Sequence, residues 1–278
     1  MSLETKTEAE GNFNWRVPTI FIKSFIEGAG AKSIYEQVKS FGNVWYDEKT
    51  KTMLGSNFPV AARVDSILRP LGIRVANLAD LSRPEIMEIV KDKHYSDTPS
   101  LVLRSERDSY APNKEVIKEL IPHIENKQGK LKLPVLISGL DVALSEDKAG
   151  YGWKVIPRDD FSVVYDERLD GKWNGKKFTE TDVLGLPLFD TKGSRTWYAR
   201  DSGISGLGLD CGLYLGSYGG GYLACSGGSG RVALVRGEAS SQNFLGRYIS
   251  EIQAEFGRQE SELLERRERA LRILQGKE

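Results

Sequence analysis

GISGLGLDCGLYLGSYGGGYLACSGGSG, residues 203–230, carries leucines at 207, 209, 213, 215 and 223, with Gly, Ser, Tyr, Cys or Asp in nearly all the gaps. Asp210 is its one charged residue, and Lys, Glu, Gln, Trp and Met are missing from it, in a chain that is 28% charged. Leucines at alternate positions of a strand point to one face, while their neighbours project to the other and escape the demands of packing. Outer residues drawn from Gly, Ser, Tyr and Asp match the composition of binding loops, where Tyr supplies a large amphipathic contact and Ser or Gly an adaptable one. Two blander readings compete: a glycine-rich β loop without a partner, and a low-complexity flexible segment. Disorder would not hold leucines in register.

Around this stretch, residues 130–238 read as short β runs separated by Gly, Asp, Asn and Pro turns, closing on the buried strand GRVALV. TETDVLG, residues 179–185, is the one place there with a hint of helical periodicity. LPVLISGLDVAL and FSVVYDE are two of the strand-like runs. Residues 15–129 are expected to form a mixed α+β region, with a boundary near 130. Within it VPTIFIKSFIE reads as a strand, AKSIYEQVKSF as a helix, and NVWYDEKTKTMLG as two short strands about a turn. FPVAARVDSILRPLG reads as an amphipathic helix stopped by Pro70 and Gly72, followed by a strand at IRVANL. Ser82 with Glu85 three residues on, and Pro84 between them, marks a helix start that should run to about His94. TPSLVLRSE reads as a strand, and NKEVIKELIPHIENK as a helix interrupted by Pro122.

Residues 1–14 are expected to be a loose tail, and residues 239–278 one long helix. Ile249, Ile252, Phe256, Leu263, Ala270 and Ile273 fall on a three-four spacing broken by Gln259 and Arg266. That stripe either packs on its own domain or pairs two copies as a coiled coil; Gly257 weakens both readings.

Thirty-nine basic and thirty-nine acidic residues cancel, so no global field draws the chain to nucleic acid or an anionic membrane. The polar, acidic start lacks the features of a signal peptide, and no apolar run approaches the roughly 18 residues of a membrane span, so a cytoplasmic protein is expected. Only Cys211 and Cys225 could make a disulfide, and no disulfide framework is expected.

An enzyme needs a nucleophile with a base, a carboxylate pair, a metal set or a cofactor cradle. His94 and His123 read as surface or packing residues, and two histidines with two cysteines outside CxxC or HxxxH spacing make no zinc site. Asp159 with Asp160, and Asp166 with Glu167, flank FSVV and offer a hydrolase reading, because glycosidase-like chemistry needs one protonated and one ionised acid. Acids in that position also serve as solvated turn residues. The GxxGxG runs at 203–208 and 216–221 lack the Lys-Ser or Lys-Thr and the helix start of a phosphate loop. A structural β domain with a helical oligomerisation tail is the remaining alternative.

GSRTWYARDSGISGLGLDCGLYLGS and GGGYLACSGGSGRVALVRGEAS resemble the variable proteins of diversity-generating retroelements. PSLVLRSERDSY, PVLISGLDVALSEDKAGYGWKVIP and DERLDGKWNGKKF resemble the scaffold of one uncultured-bacterial group of them, so the likeness spans roughly residues 98–241. The resemblance implies a C-type-lectin-like domain over 130–238, preceded by the mixed region and followed by the C-terminal helix. It also implies a non-enzymatic binding protein whose gene is rewritten by mutagenic reverse transcription at adenines, typically in AAC or AAT codons. Such codons cannot become Lys, Glu, Gln, Trp, Met or a stop, and none of those residues occurs in 203–230. The implied variable, ligand-binding residues are Ser205, Gly206, Gly208, Asp210, Cys211, Gly212, Tyr214, Gly216, Ser217, Tyr218, Gly219, Gly220, Gly221, Tyr222, Cys225, Ser226, Gly227, Gly228, Ser229 and Gly230. The leucines, Ala224 and GRVALV would be invariant scaffold, with Trp197, Tyr198 and Arg200 as core or scaffold rather than ligand contacts. EPN, QPD and WND motifs are absent, so calcium-dependent sugar binding is not expected, nor any metal or cofactor. The expected partner is a protein ligand.

Overall fold

The computed structural model describes residues 25–28, 30–146, 149–217 and 222–236. The expected N-terminal tail, most of the strand expected at 17–27, the C-terminal helix, and Tyr218, Gly219, Gly220 and Gly221 lie outside the described residues.

The first elements follow the local sequence closely. Helix α1 (Ala31–Val38) is followed by strands β1 (Trp45–Asp47) and β2 (Thr52–Leu54), an antiparallel pair about the turn at 48–51. Helix α2 (Phe58–Leu68) starts where Asn57 Oδ1 accepts from the Val60 amide at 3.1 Å, with Pro59 in its first turn. It ends in a 3-10 turn, Arg69–Leu71, and a left-handed Gly72. The expected amphipathic stripe is exceeded: Phe58, Val60, Ala61, Ala62, Val64, Asp65 and Leu68 are all buried, so this helix is core on nearly every side.

Strand β3 (Ile73–Val75) leads to two short helices, α3 (Leu78–Leu81) and α4 (Pro84–Val90). Ser82 does not cap α4. It closes α3, its Oγ donating to the Leu78 carbonyl, and the reciprocal capping box belongs to Asn77 and Asp80 one helix earlier. Arg83 stands at the N-cap of α4 with no side-chain bond, and the helix stops at Val90 rather than near His94.

Strand β4 (Ser96–Leu103) precedes helix α5 (Ala111–Gln128), which continues through Pro122 without a break. A proline inside a helix forfeits one backbone hydrogen bond, but Val116, Ile117, Leu120 and Ile124 are buried along one stripe and hold both halves to the core. Strands β5 (Val135–Leu144), β6 (Trp153–Tyr165), β7 (Lys177–Thr181), β8 (Pro187–Phe189), β9 (Arg195–Ala199), β10 (Ile204–Leu209), β11 (Leu215–Ser217) and β12 (Leu234–Arg236) complete the described chain. TETDVLG is not helical: it ends β7 and turns about Asp182, whose carboxylate accepts from the Leu184 and Leu186 amides.

The fold is therefore mixed α+β, organised by one eight-stranded sheet in the order β6-β5-β4-β10-β11-β9-β7-β8. Neighbours are antiparallel except β11 and β9. β4, N-terminal to residue 130, lies between β5 and β10, so the sheet crosses the boundary expected there. On one face Leu101, Leu103, Val135, Ile137 and Ile204 join the apolar residues of α2 and α5. On the other, Val102, Trp197, Leu207, Leu209 and Leu215 join Leu78, Leu81, Ile86 and Val90 of α3 and α4. β12 pairs with β3, Leu234 opposite Val75, which returns the chain to the N-terminal elements. No helix among the described residues is long and apolar enough to cross a membrane.

Candidate functional site

The leucine ladder lies inside the fold. Leu207, Leu209, Leu215 and Leu223 are buried; Leu213 is half-buried in the turn joining β10 to β11, with a left-handed backbone (φ 59°). Side chains alternate along a strand, so the positions between the leucines face the opposite side of the sheet, the side of α2. There the glycines at 206, 208 and 216 contribute no side chains, and the sheet surface beyond the start of α2 is left open.

That opening is a groove of about 910 Å³. Gly206, Gly208, Asp210, Tyr214, Gly216, Tyr222, Cys225, Ser226 and Gly227, nine of the residues implied as variable, line it. The remaining wall is scaffold: Asn57 and Phe58 at the start of α2, Tyr95 with Ser96 and Asp97 at the start of β4, Asn174, Tyr198 on β9, and the ladder residues Leu209, Leu215 and Leu223.

The loop at 222–231 is fixed to this scaffold by named bonds. Asn57 Nδ2 donates to the Ala224 carbonyl at 3.2 Å, and the Asn43 amide donates to the same carbonyl at 3.1 Å. The Leu223 amide donates to Tyr151 Oη at 2.9 Å, the Gly227 amide to Tyr95 Oη at 2.6 Å, and the Gly55 amide to the Gly230 carbonyl at 2.8 Å. Ser226 Oγ donates to the Asn43 carbonyl. Tyr222 projects from this loop, half of its surface exposed, with its ring edge-on to Tyr110 at 4.8 Å.

The expectation that all the implied variable residues project freely needs correction at four of them. Ser205 is buried, and its Oγ accepts from Arg104 Nη1 at 2.9 Å. It shares the strand parity of Leu207 and Leu209, so it faces the core side. A β-carbon on Gly208 would stand 2.6 Å from the Ser96 carbonyl oxygen, and one on Gly216 2.4 Å from the Tyr198 carbonyl oxygen. On Gly230 it would meet the Ser56 nitrogen at 2.6 Å. Those contacts are with backbone, which cannot swing away. Gly206, Gly227 and Gly228 have room, and Gly212 meets only the Tyr214 ring. Asp210, Cys211, Tyr214, Cys225, Gly227, Gly228 and Ser229 are exposed; Ser217 lies in β11 beside Ala199.

Tyr198 is also placed differently from the expectation. Trp197 is fully buried, and Arg200 Nη1 donates to the Ile204 carbonyl at 2.8 Å, both as scaffold. Tyr198, between them, lines the groove and meets Tyr214 edge-on at 5.1 Å.

Asp97 is the groove residue that sequence reading missed. It is half-buried, beside Gly208 in the β4–β10 register, with no salt bridge among the described residues. Desolvation raises its carboxyl to about 7, the negative charge of Asp210 adds to this, and a bond from Ser56 opposes it. Tyr95 is raised to about 12, chiefly by desolvation and then by the charge of Asp97.

The acids around FSVV do not face one another across a cleft. Asp160 pairs with Arg158 at 3.0 Å and Arg69 at 2.8 Å, and both arginines also hold the fully buried Asp65. Asp166 caps a 3-10 turn and binds Arg168; desolvation opposes its ionisation, but the Arg168 hydrogen bonds prevail and hold it below its ordinary value. Glu167 accepts from Tyr165 and pairs with Lys172, and Asp159 is exposed. His94 Nδ1 lies 3.2 Å from the Ser229 carbonyl, and exposed His123 meets Phe161 edge-on. Among the described residues no three His, Cys, Asp or Glu side chains are grouped as metal ligands would be.

Compared with protein-family models, curated proteins and solved structures, the chain matches none.

Proposed function

We propose that this chain is a non-enzymatic binding protein and that the groove over β10, β11 and the 222–227 loop is its binding face. On this reading the face is diversified as in the variable proteins of diversity-generating retroelements, and the eight-stranded sheet, which takes β4 from before residue 130, is the core of a C-type-lectin-like domain. The observation that carries the proposal is the convergence of nine implied variable residues on one concave surface, while Leu207, Leu209 and Leu215 of the same strands are buried in the core cluster on the other side. Binding pockets are concave, with a few polar groups placed among apolar and aromatic walls, and Tyr95, Tyr198, Tyr214, Tyr222 and Phe58 supply such walls here. A fixed backbone below a changeable surface lets side chains be exchanged without loss of the fold.

A library in which Gly206, Asp210, Tyr214, Tyr222 and Gly227 are randomised together tests this. Most members should fold, as read by protease resistance of displayed protein, and selection against a panel of proteins should yield different binders for different targets. A library that is mostly unfolded, or that never yields a target-specific member, contradicts the proposal.

A further inference from the structure

Among the described residues the groove carries two carboxylates and no cation. Asp97 lies at its floor and Asp210 at its rim, and none of the described residues lining it is Lys, Arg or His. The Asp97 Oδ1 atom is 3.3 Å from the β-carbon position of Gly208 and 3.9 Å from that of Gly206, so the absent side chains leave this carboxylate facing the open space. Four tyrosines line the same groove: Tyr95 just before β4, Tyr198 and Tyr214 in edge-on contact with each other, and Tyr222 on the 222–231 loop. A carboxylate among aromatic rings is the arrangement that attracts an organic cation, since the faces of the rings and the acid both carry negative potential.

Resting on the reading of this groove as the binding face, we propose that it seats a basic side chain, arginine or lysine, projecting from a protein partner, with the charged head against Asp97 and the stem between the tyrosine rings. Charge complementarity selects this occupant: an acidic side chain would meet two like charges, and an apolar one would desolvate Asp97 further with no opposite charge to compensate. Asp97 lies outside the implied variable set, so the scaffold holds the charge while Gly206, Asp210, Tyr214 and Tyr222 shape the approach to it. An arginine at position 206, one of the replacements open to an AAC or AAT codon, would stand beside Asp97 and neutralise the site from within.

The test is a selection of random peptides displayed on phage, panned in parallel on the full chain, on Asp97→Asn and on Gly206→Arg. The expected result is a set of groove-binding peptides with Arg or Lys at one recurring position. Citrulline or norleucine at that position should weaken binding by about tenfold or more, and both variants should bind the parent peptide correspondingly less. Affinity should rise between about pH 6 and about pH 8, across the value near 7 for Asp97. Asp210, Tyr95, Tyr198, Tyr214, Tyr222 and Cys225 are the other titratable groups lining the groove, so the pH series is run in parallel on Asp97→Asn, in which the rise should disappear. Groove-binding peptides with no basic position, or indifferent to Asp97→Asn, would overturn the cation assignment and leave the binding face standing. Recovery of no peptide, or only of peptides whose footprint lies away from the groove, would overturn both.

Discussion

Oδ1 of Asp97 lies 3.9 Å from the point where a β-carbon on Gly206 would stand, across the pairing of β4 with β10. The nearest other atom to that point is Phe58 Cβ at 3.7 Å, an ordinary contact. Gly206→Arg should therefore be accommodated and should bring a guanidinium beside the carboxylate. An opposite charge favours the ionised form, so the Asp97 carboxyl, about 7 in the present chain, should fall toward the ordinary carboxylate range. Carboxyl-carbon NMR titration of the two proteins measures this, and an unchanged midpoint would show that the two positions do not communicate.

The same carboxyl makes stability depend on pH. Its folded value of about 7 exceeds the unfolded reference of about 3.9, so the folded chain retains a proton that the unfolded chain has lost. Its contribution is full below the unfolded value and is lost as pH rises through the folded one. Asp97→Asn should flatten that decline and leave the variant the more stable protein near pH 8. A gain of about 2 kcal/mol is expected, allowing for solvent screening at the groove mouth. Denaturant melts across pH check it; parallel curves for the two proteins would contradict the assignment.

Among the implied variable positions, tolerance should follow space. Gly228→Asn, where a β-carbon meets nothing within 4 Å, should change stability by less than about 0.5 kcal/mol. Gly216→Asn, driven against the Tyr198 carbonyl, should cost about 2 kcal/mol or more. Ser205→Ala should cost about 1–2 kcal/mol, because Arg104 loses a charge-assisted acceptor. Equal effects at 216 and 228 in chemical denaturation would mean that the backbone at β11 gives way.

Much of this architecture was legible from local pattern. α1, the β1–β2 pair, β3, β4 and the buried ladder follow periodicity and turn residues that any register of the fold must respect. What remained hidden was set by contacts distant in sequence. Asn77-x-x-Asp80 and Ser82-x-x-Glu85 carry similar capping signals five residues apart, and only the packing of α3 decides between them. Pro122 broke the helical pattern on paper, but the buried stripe of α5 outweighs one missing bond. Asp97 reads as a polar residue opening a strand, and its meaning comes from β10, about a hundred residues later in the chain. Ser205 could have been found: it lies two residues before Leu207, on the same strand parity, and that alone assigns it to the buried side. For Gly208, Gly216 and Gly230 the restriction comes from neighbouring backbone, which composition cannot reveal.

The acids near FSVV give a separate expectation. Asp160 is joined through Arg69 and Arg158 to the buried Asp65, which also accepts from the Val75 amide at 2.8 Å. Asp65→Asn should destabilise the fold by about 2–3 kcal/mol, since it takes a fully buried carboxylate from two half-buried arginines, and Asp160→Asn should cost less because that side chain is more exposed. Thermal melts check both. A hydrolytic activity that vanished in Asp160→Asn with no change in the melt would instead revive the catalytic reading of these acids.

Sequencing this gene and its flanking DNA across many cells of the source population tests the diversified-groove proposal most directly. Differences should cluster at codons 206, 210–212, 214, 217–222 and 225–229, beside an adenine-bearing near-copy. Codons 207, 209, 215 and 223 should stay fixed, and 205, 208, 216 and 230 nearly so. A uniform stretch without a near-copy, or differences spread evenly over the leucines, would contradict it.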